Sequence, residues 1–416
     1  MRVLITNYSL NQRAGTELVV YEVASELRRR GHQVAAYSSQ LGEVAEMLRA
    51  SSIPVITSPE DCPWVPDIIH GQHHLDAMTA IMALPGVPAI YHTHGGLPWQ
   101  ERPPTHPRIL HYVAMCRDLA DTQWIELCLQ PAQISAVPNW VDLSRFRNSR
   151  SPGPDPKSAL LFGEGLGDPS IKEKLAPVFA AQGIQLQNTA DWTADERRAP
   201  ELVLPRYDIV LGSGRSALEA MACGCAVVIA NPQCCLGWVR PEYFFELQRQ
   251  NFSPKRADAA LNPDLITTSL ATYDAEAAVE VTALVRERCT LTHAVDELLH
   301  IYEDTLALWP RAQAEIDPAS ENHAAYLYLR SLASAVRDVE FLQVTSRKLQ
   351  SEVDQLTKER DKLAAQQPKL DELSEKNREH QTTLFHLREH WFGRLALSLS
   401  RRKENTPRCP KAKKSD

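Results

Sequence analysis

No stretch of this sequence approaches the roughly 20 consecutive apolar residues that a membrane-crossing helix needs. A helical integral membrane protein is therefore excluded. An excess of positive charge is also missing: 45 basic against 52 acidic residues leave a formal charge of −7, which gives no reason to expect nucleic acid as a partner. The nine cysteines show no regular pairing, which suggests a reducing compartment. Cys223, Cys225, Cys234 and Cys235 cluster, but without the two-CxxC spacing of a zinc site. Cysteines of this kind are commonly small core residues, so no metal is expected. Residues 1–7 read as a strand and not as an export leader. The expectation is a cytoplasmic protein, at most peripheral to the inner face of the membrane.

At 416 residues the chain exceeds what one hydrophobic core holds, so two domains plus an appendage are expected. A hydrophobic content of 44% with 23% charged residues is ordinary for a globular protein. Residues 3–6 form an apolar run followed by a small, polar loop. A helix then carries Leu18, Tyr21, Val23, Ala24 and Leu27 at helical spacing, with Gly15 or Thr16 as its cap. Further short strands are predicted at 33–37, 55–57, 68–70, 89–92 and 112–114. Such alternation builds a parallel sheet covered on both faces. The polar, proline-rich residues 147–157 read as a linker. A second alternation follows, with strands at 159–162, 184–187, 208–211 and 226–229. Helical segments near 277–288 and 294–308 close the second domain or cross back to the first. The fold class is thus α/β: two Rossmann-like domains, 1–147 and 157–310, with a cleft between the carboxyl ends of their sheets.

The most informative segment is 207–232. An apolar strand (Ile209, Val210, Leu211) runs into Gly212-Ser213-Gly214, and a helix opens at Arg215–Ser216 and carries Glu219 one turn in. Strand, glycine turn and helix together aim backbone N–H groups and a positive helix end at an anion above the sheet edge. A carboxylate one turn into the helix can accept from two sugar hydroxyls. Phosphate on the helix end with a diol on the Glu is half of a nucleotide-sugar site. The same residues also fit an ordinary βαβ turn with a solvated Glu.

Residues 218–228, LEAMACGCAVV, resemble the E-A-M-A-x-G-x-P-V-V signature of retaining glycosyltransferases with the GT-B architecture, those of glycosyltransferase family 4. The resemblance implies that Glu219 holds the donor ribose. A second family Glu, on the hexose side, is Leu211 here, and the signature proline is Ala226. Ala14, Gly15 and Thr16 stand where the family places a glycine loop beside donor phosphates and acceptor. In residues 91–96, YHTHGG, the resemblance puts His94, or alternatively His92, near the transferred sugar. Residues 137–146, VPNWVDLSRF, resemble the family's I-P-N-G-V-D-x-x-x-F, with Trp140 in place of glycine. The family's Arg/Lys phosphate clamp after the first strand of the second domain has no counterpart: Phe162-Gly163-Glu164 stands there, with Lys172 and Lys174 the next basic residues. Arg215, at the helix head, is the candidate to replace it, because a guanidinium matches phosphate oxygens in a fork. Residues 234–252 resemble a run that lies over the cleft in a subgroup of these enzymes, with Arg240 and Glu242 in reach of ligand.

From about residue 330 the pattern changes. Leu342, Leu349, Leu356, Leu363, Leu370, Asn377, Leu384 and Trp391 recur every seven residues, which argues for a coiled coil over 330–392. The companion seam is Val339, Ser346, Val353 and Arg360 before Pro368, and Leu373, His380 and Leu387 after it. Two segments with a kink or phase shift at the proline are expected. The tail, 393–416, is basic and suits either a short interfacial anchor or a disordered end.

The reading is a glycosyltransferase that moves a sugar from a nucleotide-sugar donor to a glycan or lipid-linked acceptor in surface polysaccharide synthesis. Retention is implied by the resemblance alone. The donor side comprises Gly212, Ser213, Gly214, Ser216 and Glu219; His94 and Arg215 are the catalytic candidates. No cofactor is expected, since the nucleotide-sugar is the substrate, and homo-oligomers form through the coiled coil. Two alternatives stay open: a catalytically degenerate GT-B binding module on a coiled-coil scaffold, and a sugar-nucleotide epimerase, which would not usually carry the 219–228 signature.

Overall fold

The computed structural model describes residues 1–95, 99–148, 150–254 and 259–404, with side chains to residue 388 and at residue 390. It divides into two compact units, Met1–Tyr328 and Leu329–Asp416.

The first unit holds two sheets. In its first lobe, β1 (Arg2–Thr6), β2 (Gln33–Tyr37), β3 (Val55–Ile56), β4 (Ile68–Gly71), β5 (Ala89–Thr93), β6 (Ile109–Ala114) and β7 (Ile134–Ala136) alternate with α1 (Gly15–Arg29), α2 (Glu43–Ala50), α3 (His74–Ala83) and α4 (Arg117–Glu126). The order is β3-β2-β1-β4-β5-β6-β7, parallel throughout. Val3, Leu4 and Ile5 are wholly buried because helices cover both faces, which is why the strand reads as an unbroken apolar run. α1 lays Val19, Val20, Val23, Ala24 and Leu27 into that core, while Leu18 and Tyr21 are only half-buried. β7 has no counterpart among the sequence-predicted strands; at three residues it is too short to show a period.

The second lobe contains β8 (Ser158–Leu161), β9 (Gln185–Asn188), β10 (Ile209–Gly212), β11 (Ala226–Ala230) and β12 (Cys235–Trp238). Its helices are α5 (Pro169–Ala181), α6 (Ala194–Arg198), α7 (Pro200–Val203), α8 (Gly214–Ala222), α9 (Phe244–Arg249), α10 (Pro263–Leu270) and α11 (Ala275–Arg288). The order is β12-β11-β10-β8-β9, with only β12 antiparallel. In both sheets the winding reverses beside the first strand, between β1 and β4 and between β8 and β10. Ligands of doubly wound sheets bind at such switch points, beyond the carboxyl ends of the strands.

The chain crosses between lobes twice, and the crossings lie side by side. The Val141 amide donates to the Cys289 carbonyl at 2.9 Å and the Leu291 amide to the Val141 carbonyl at 3.1 Å. The returning helix α12 (Leu291–Glu315) buries Val295, Leu298, Ile301 and Tyr302 in the core of the first lobe.

Helix α13 (Pro318–Glu404) follows, beginning a dozen residues before the expected start. Its first turns belong to the first unit: Glu321 pairs with Arg108 at 2.9 Å, and Tyr328 meets His74 Nδ1 at 2.8 Å. The helix runs through Pro368 without a break, where the sequence led us to expect two segments. A proline removes one backbone hydrogen bond, and the helix formers on both sides carry it. Among the described residues no helix is long and apolar enough to cross a membrane. The expected basic anchor lies outside the description: the side chains of 391–404 and all of 405–416.

Candidate active site

β10 ends at Gly212, where backbones come close. A Cβ on Gly212 would lie 2.5 Å from the Phe162 carbonyl oxygen, so no other residue fits without moving β8. Ser213 is extended and precedes α8, and Gly214 has φ +57°, a conformation that favours glycine. The Gly214 amide donates to the Phe252 carbonyl at 2.9 Å. This leaves the Arg215 and Ser216 amides as the donors of the helix end.

Opposite stands the start of α1. Its N-cap residue is Ala14, with no side-chain cap. Thr16 does not cap the helix as expected; its hydroxyl donates to Glu17 at 3.1 Å. A Cβ on Gly15 would meet nothing within 4 Å, because this residue faces open space.

Between these two helix ends lies a cleft of about 450 Å³. It is lined by Ala14 and Gly15 from the first lobe and by Ser213, Gly214, Arg215, Ser216 and Glu219 from the second. Gly212 is buried behind it, and Thr16 is not part of the wall. Five arginines line the cleft (Arg13, Arg145, Arg197, Arg198 and Arg215) against Glu164 and Glu219. That balance suits an anionic ligand.

Sequence reasoning named only one of these arginines. Arg145 stands inside the quoted run 137–146 and Arg13 directly before Ala14, but nothing in their spacing says that they face the cleft. Arg197 and Arg198 end a helix of five residues that carries no periodic signal. The lysines near the family clamp are engaged elsewhere: Lys172 pairs with Asp191 at 2.6 Å, and Lys174 donates to the Leu261 carbonyl at 3.0 Å.

Arg215 and Glu219 meet each other. Arg215 Nε donates to Glu219 Oε1 at 2.9 Å, and Nη2 donates to Glu22 of α1, across the cleft. Burial pulls the Arg215 guanidinium down, but the two carboxylates outweigh it and hold it above its ordinary value. Burial pushes the Glu219 carboxyl up, and Arg215 pulls it partly back. Other bridges repeat the sense of the first, with the acid on the first lobe and the arginine on the second. Glu43 stands 3.7 Å from Arg198, and Asp118 and Asp121 stand 3.5 and 3.4 Å from Arg249.

His94 does not line the cleft described above. Its Nε2 is 2.8 Å from Gln72 Oε1, its amide donates to Glu101 at 2.8 Å, and its ring tilts against His92 at 4.2 Å. Burial lowers its pKa to about 4, and Arg215 adds to the shift in the same direction. The ring is neutral at pH 7 and lies within electrostatic reach of Arg215. Of the glycines after it, Gly96 is outside the described residues.

The run over 234–252 departs from expectation. It is not one loop over the cleft: β12 adds to the sheet edge as an antiparallel strand, α9 follows, and only the end of the run, at Asn251 and Phe252, reaches the cleft beside Gly214. Arg240 donates to the Thr272 carbonyl at 2.6 Å and faces Asp274 at 3.5 Å. Cys223, Cys225, Cys234 and Cys235 are buried, and among the described residues no group of three or more metal-ligating side chains occurs.

No protein-family model matches the chain, and no curated protein matches it in sequence. Solved structures do. A glycosyltransferase from Rickettsia africae ESF-5 superposes with a TM-score of 0.52, covering 73% of this chain and 98% of its own, at 15% identity. The fold is that of the GT-B glycosyltransferases. Anabaena Alr3699/HepE, solved with UDP and glucose, gives a TM-score of 0.48 over 73% of this chain and 99% of its own, at 14% identity. MurG of Acinetobacter baumannii gives 0.45 over 72% and 99%, at 14% identity. At these identities the likeness is one of fold, and the Rickettsia protein carries it. GT-B lobes face each other across the cleft that Glu219 and Arg215 line.

Proposed function

We propose that the chain is a glycosyltransferase that binds a nucleotide-diphosphate sugar in this cleft and moves the sugar to a glycan or lipid-linked acceptor. The observation that carries the reading is the cleft itself. It sits at the switch point between β8 and β10, faces the start of α1, is lined by five arginines, and has the Glu219 carboxylate buried in its wall. Arg13, Arg198 and Arg215 face the diphosphate, whose negative charge grows as the bond from the anomeric carbon to its oxygen breaks. Glu219 keeps Oε2 for the ribose hydroxyls, since Arg215 engages Oε1. His94, neutral at pH 7, stands outside the cleft wall with Nε2 on Gln72, so it serves the site from the acceptor side and not as part of the donor pocket. The acceptor hydroxyl approaches from the ends of β4 and β5 and forms the new bond as the diphosphate leaves, its proton passing to the departing phosphate oxygen. Retention, and membership of family 4, are supported by the signature at 218–228. No cofactor enters the reading. The protein works in the cytoplasm in surface polysaccharide synthesis and pairs with further copies of itself through the leucine row of α13.

One observation favours a second reading, a binding module without turnover. Leu211 is wholly buried where the resembling family has its hexose-side Glu. Thermal shift against a panel of nucleoside diphosphates tests the main reading: one of them should stabilise the protein, and Glu219→Ala should abolish the effect. Hydrolysis of the matching nucleotide-sugar without acceptor separates the readings, since a module without turnover leaves it intact. Stabilisation by none of the nucleotides ends both.

A further inference from the structure

Glu22 is among the driest charged groups in the molecule, with 2% of its surface exposed. A buried carboxylate persists only when it is fully partnered, and three groups converge on this one. Its Oε2 accepts the indole N–H of Trp140 at 2.9 Å. Its Oε1 accepts from Arg215 Nη2 and lies 3.6 Å from Arg145 Nη1. Yet Glu22 is not part of the cleft wall. It lines a separate hollow of about 610 Å³ beside the lobe crossings, which shares Arg145 with the cleft.

We infer that Glu22 is a positioning residue for Arg215, acting from the opposite lobe, and that Trp140 orients Glu22 for that role. The inference rests on the proposed function, in which Arg215 meets the donor diphosphate. Two carboxylates hold the guanidinium on different edges, Glu219 at Nε and Glu22 at Nη2. Its plane is thereby fixed, and Nη1, which has no hydrogen bond among the described residues, is the donor left for a phosphate oxygen. A cation set in advance costs no reorganisation when charge develops. Trp140 stands where the resembling family has glycine, which has no side chain to hold Glu22. Its ring is buried in the core of the first lobe, and a buried indole N–H requires an acceptor.

The test is calorimetric binding to the full-length protein. The probes are UDP, GDP and ADP, with the matching nucleoside as the phosphate-free control. Glu22→Gln should weaken the preferred diphosphate about 10- to 100-fold and leave the nucleoside unchanged. Arg215→Ala should weaken it at least as much, and the double variant should bind no worse than Arg215→Ala alone. Trp140→Phe removes the indole N–H while keeping an aromatic side chain and every charge, so it reads the same effect if Glu22→Gln does not fold; a 3- to 10-fold loss is expected. Unchanged or tighter diphosphate binding by Glu22→Gln, or additive losses in the double variant, would overturn the inference and leave the donor site standing. Should Trp140→Phe bind like the wild type, Trp140 has no part in it. If Arg215→Ala binds like the wild type, or the wild type binds no diphosphate, the donor-site reading fails first and takes the inference with it.

Discussion

The Tyr302 hydroxyl lies 2.5 Å from His70 Nδ1, joining the returning helix α12 to the middle of the first sheet. Burial raises the phenol well above its ordinary range and lowers His70 to about 3. Both groups are therefore neutral and joined by one hydrogen bond, and His70 Nε2 in turn lies 3.2 Å from His92 Nδ1. Tyr302→Phe leaves Nδ1 buried without a partner, which costs about 1–3 kcal/mol. Urea denaturation should show that loss. An unchanged midpoint would mean that the contact contributes nothing to holding α12 on the first lobe.

Buried histidines make stability depend on pH. Desolvation lowers His70 to about 3 and His74, His94 and His106 to about 4, and holds His92 well below its ordinary value. Unfolded, these groups titrate near 6.5. Between that value and their folded ones the unfolded chain binds more protons, so stability is lost as pH falls from about 6.5 towards 4. Each group adds a slope of at most about 1.4 kcal/mol per pH unit. Asp76 acts in the opposite sense: burial raises it from 3.8 to about 6, so it gains stability as pH falls through that window. Burial raises Glu219 and Glu297 in the same sense as Asp76, and lowers His32 and His111 like the other histidines, so three groups oppose seven. The urea midpoint should be lower at pH 5 than at pH 7, and equal midpoints would contradict the burial argument.

The donor half of the cleft was legible because its signals are local. The β10 strand, the Gly212-Ser213-Gly214 turn and the head of α8 follow one another within a dozen residues, and each has its own propensity. The arginine wall was not legible, because Arg13, Arg145 and Arg198 come from three separate segments that only the tertiary fold brings together. Thr16 looked like a cap by residue type, but the backbone gave that place to Ala14. β12 was hidden because a four-residue edge strand that contains Gly237, at φ +98°, has no alternation to read. Trp140 was visible as a departure from the resembled motif; its bond to Glu22, on α1 of the same lobe, became visible only in the structure.

The leucine row of α13 makes the oligomer testable. Leu342, Leu349, Leu356, Leu363, Leu370 and Leu384 are each between 55% and 66% exposed, far more than a row of leucines keeps in a stable assembly. Before Pro368 the companion seam holds Val339 and Val353, and β-branched residues at one seam position with Leu at the other favour two parallel strands. Leu349→Cys should therefore cross-link to itself under mild oxidation, and light scattering should give twice the chain mass. A monomer by light scattering would remove the coiled coil. A dimer that does not cross-link at residue 349 would make the strands antiparallel or out of register.

The charge of the cleft can be separated from the family's usual clamp. Arg13 and Arg198 reach it from opposite lobes, 4.0 and 3.7 Å from the same Glu43 carboxylate oxygen. That carboxylate is about half exposed and gives the pair only weak competition. A diphosphate entering the cleft offers both arginines a stronger partner, because charge-assisted bonds to phosphate are short and bidentate. Arg13→Ala and Arg198→Ala should each weaken nucleoside diphosphate binding by roughly threefold to tenfold, about 0.7–1.4 kcal/mol. Both variants should flatten the dependence of affinity on salt, since each removes a screened charge pair. Lys172→Ala should leave affinity and salt dependence unchanged, because Lys172 is already paired with Asp191 at 2.6 Å. Calorimetry across a salt series distinguishes the outcomes. If Lys172→Ala weakens binding and the arginine variants do not, the diphosphate sits at the end of β8, Arg198 serves only to draw the lobes together through Glu43, and Arg13 only to hold Glu43 within its own lobe.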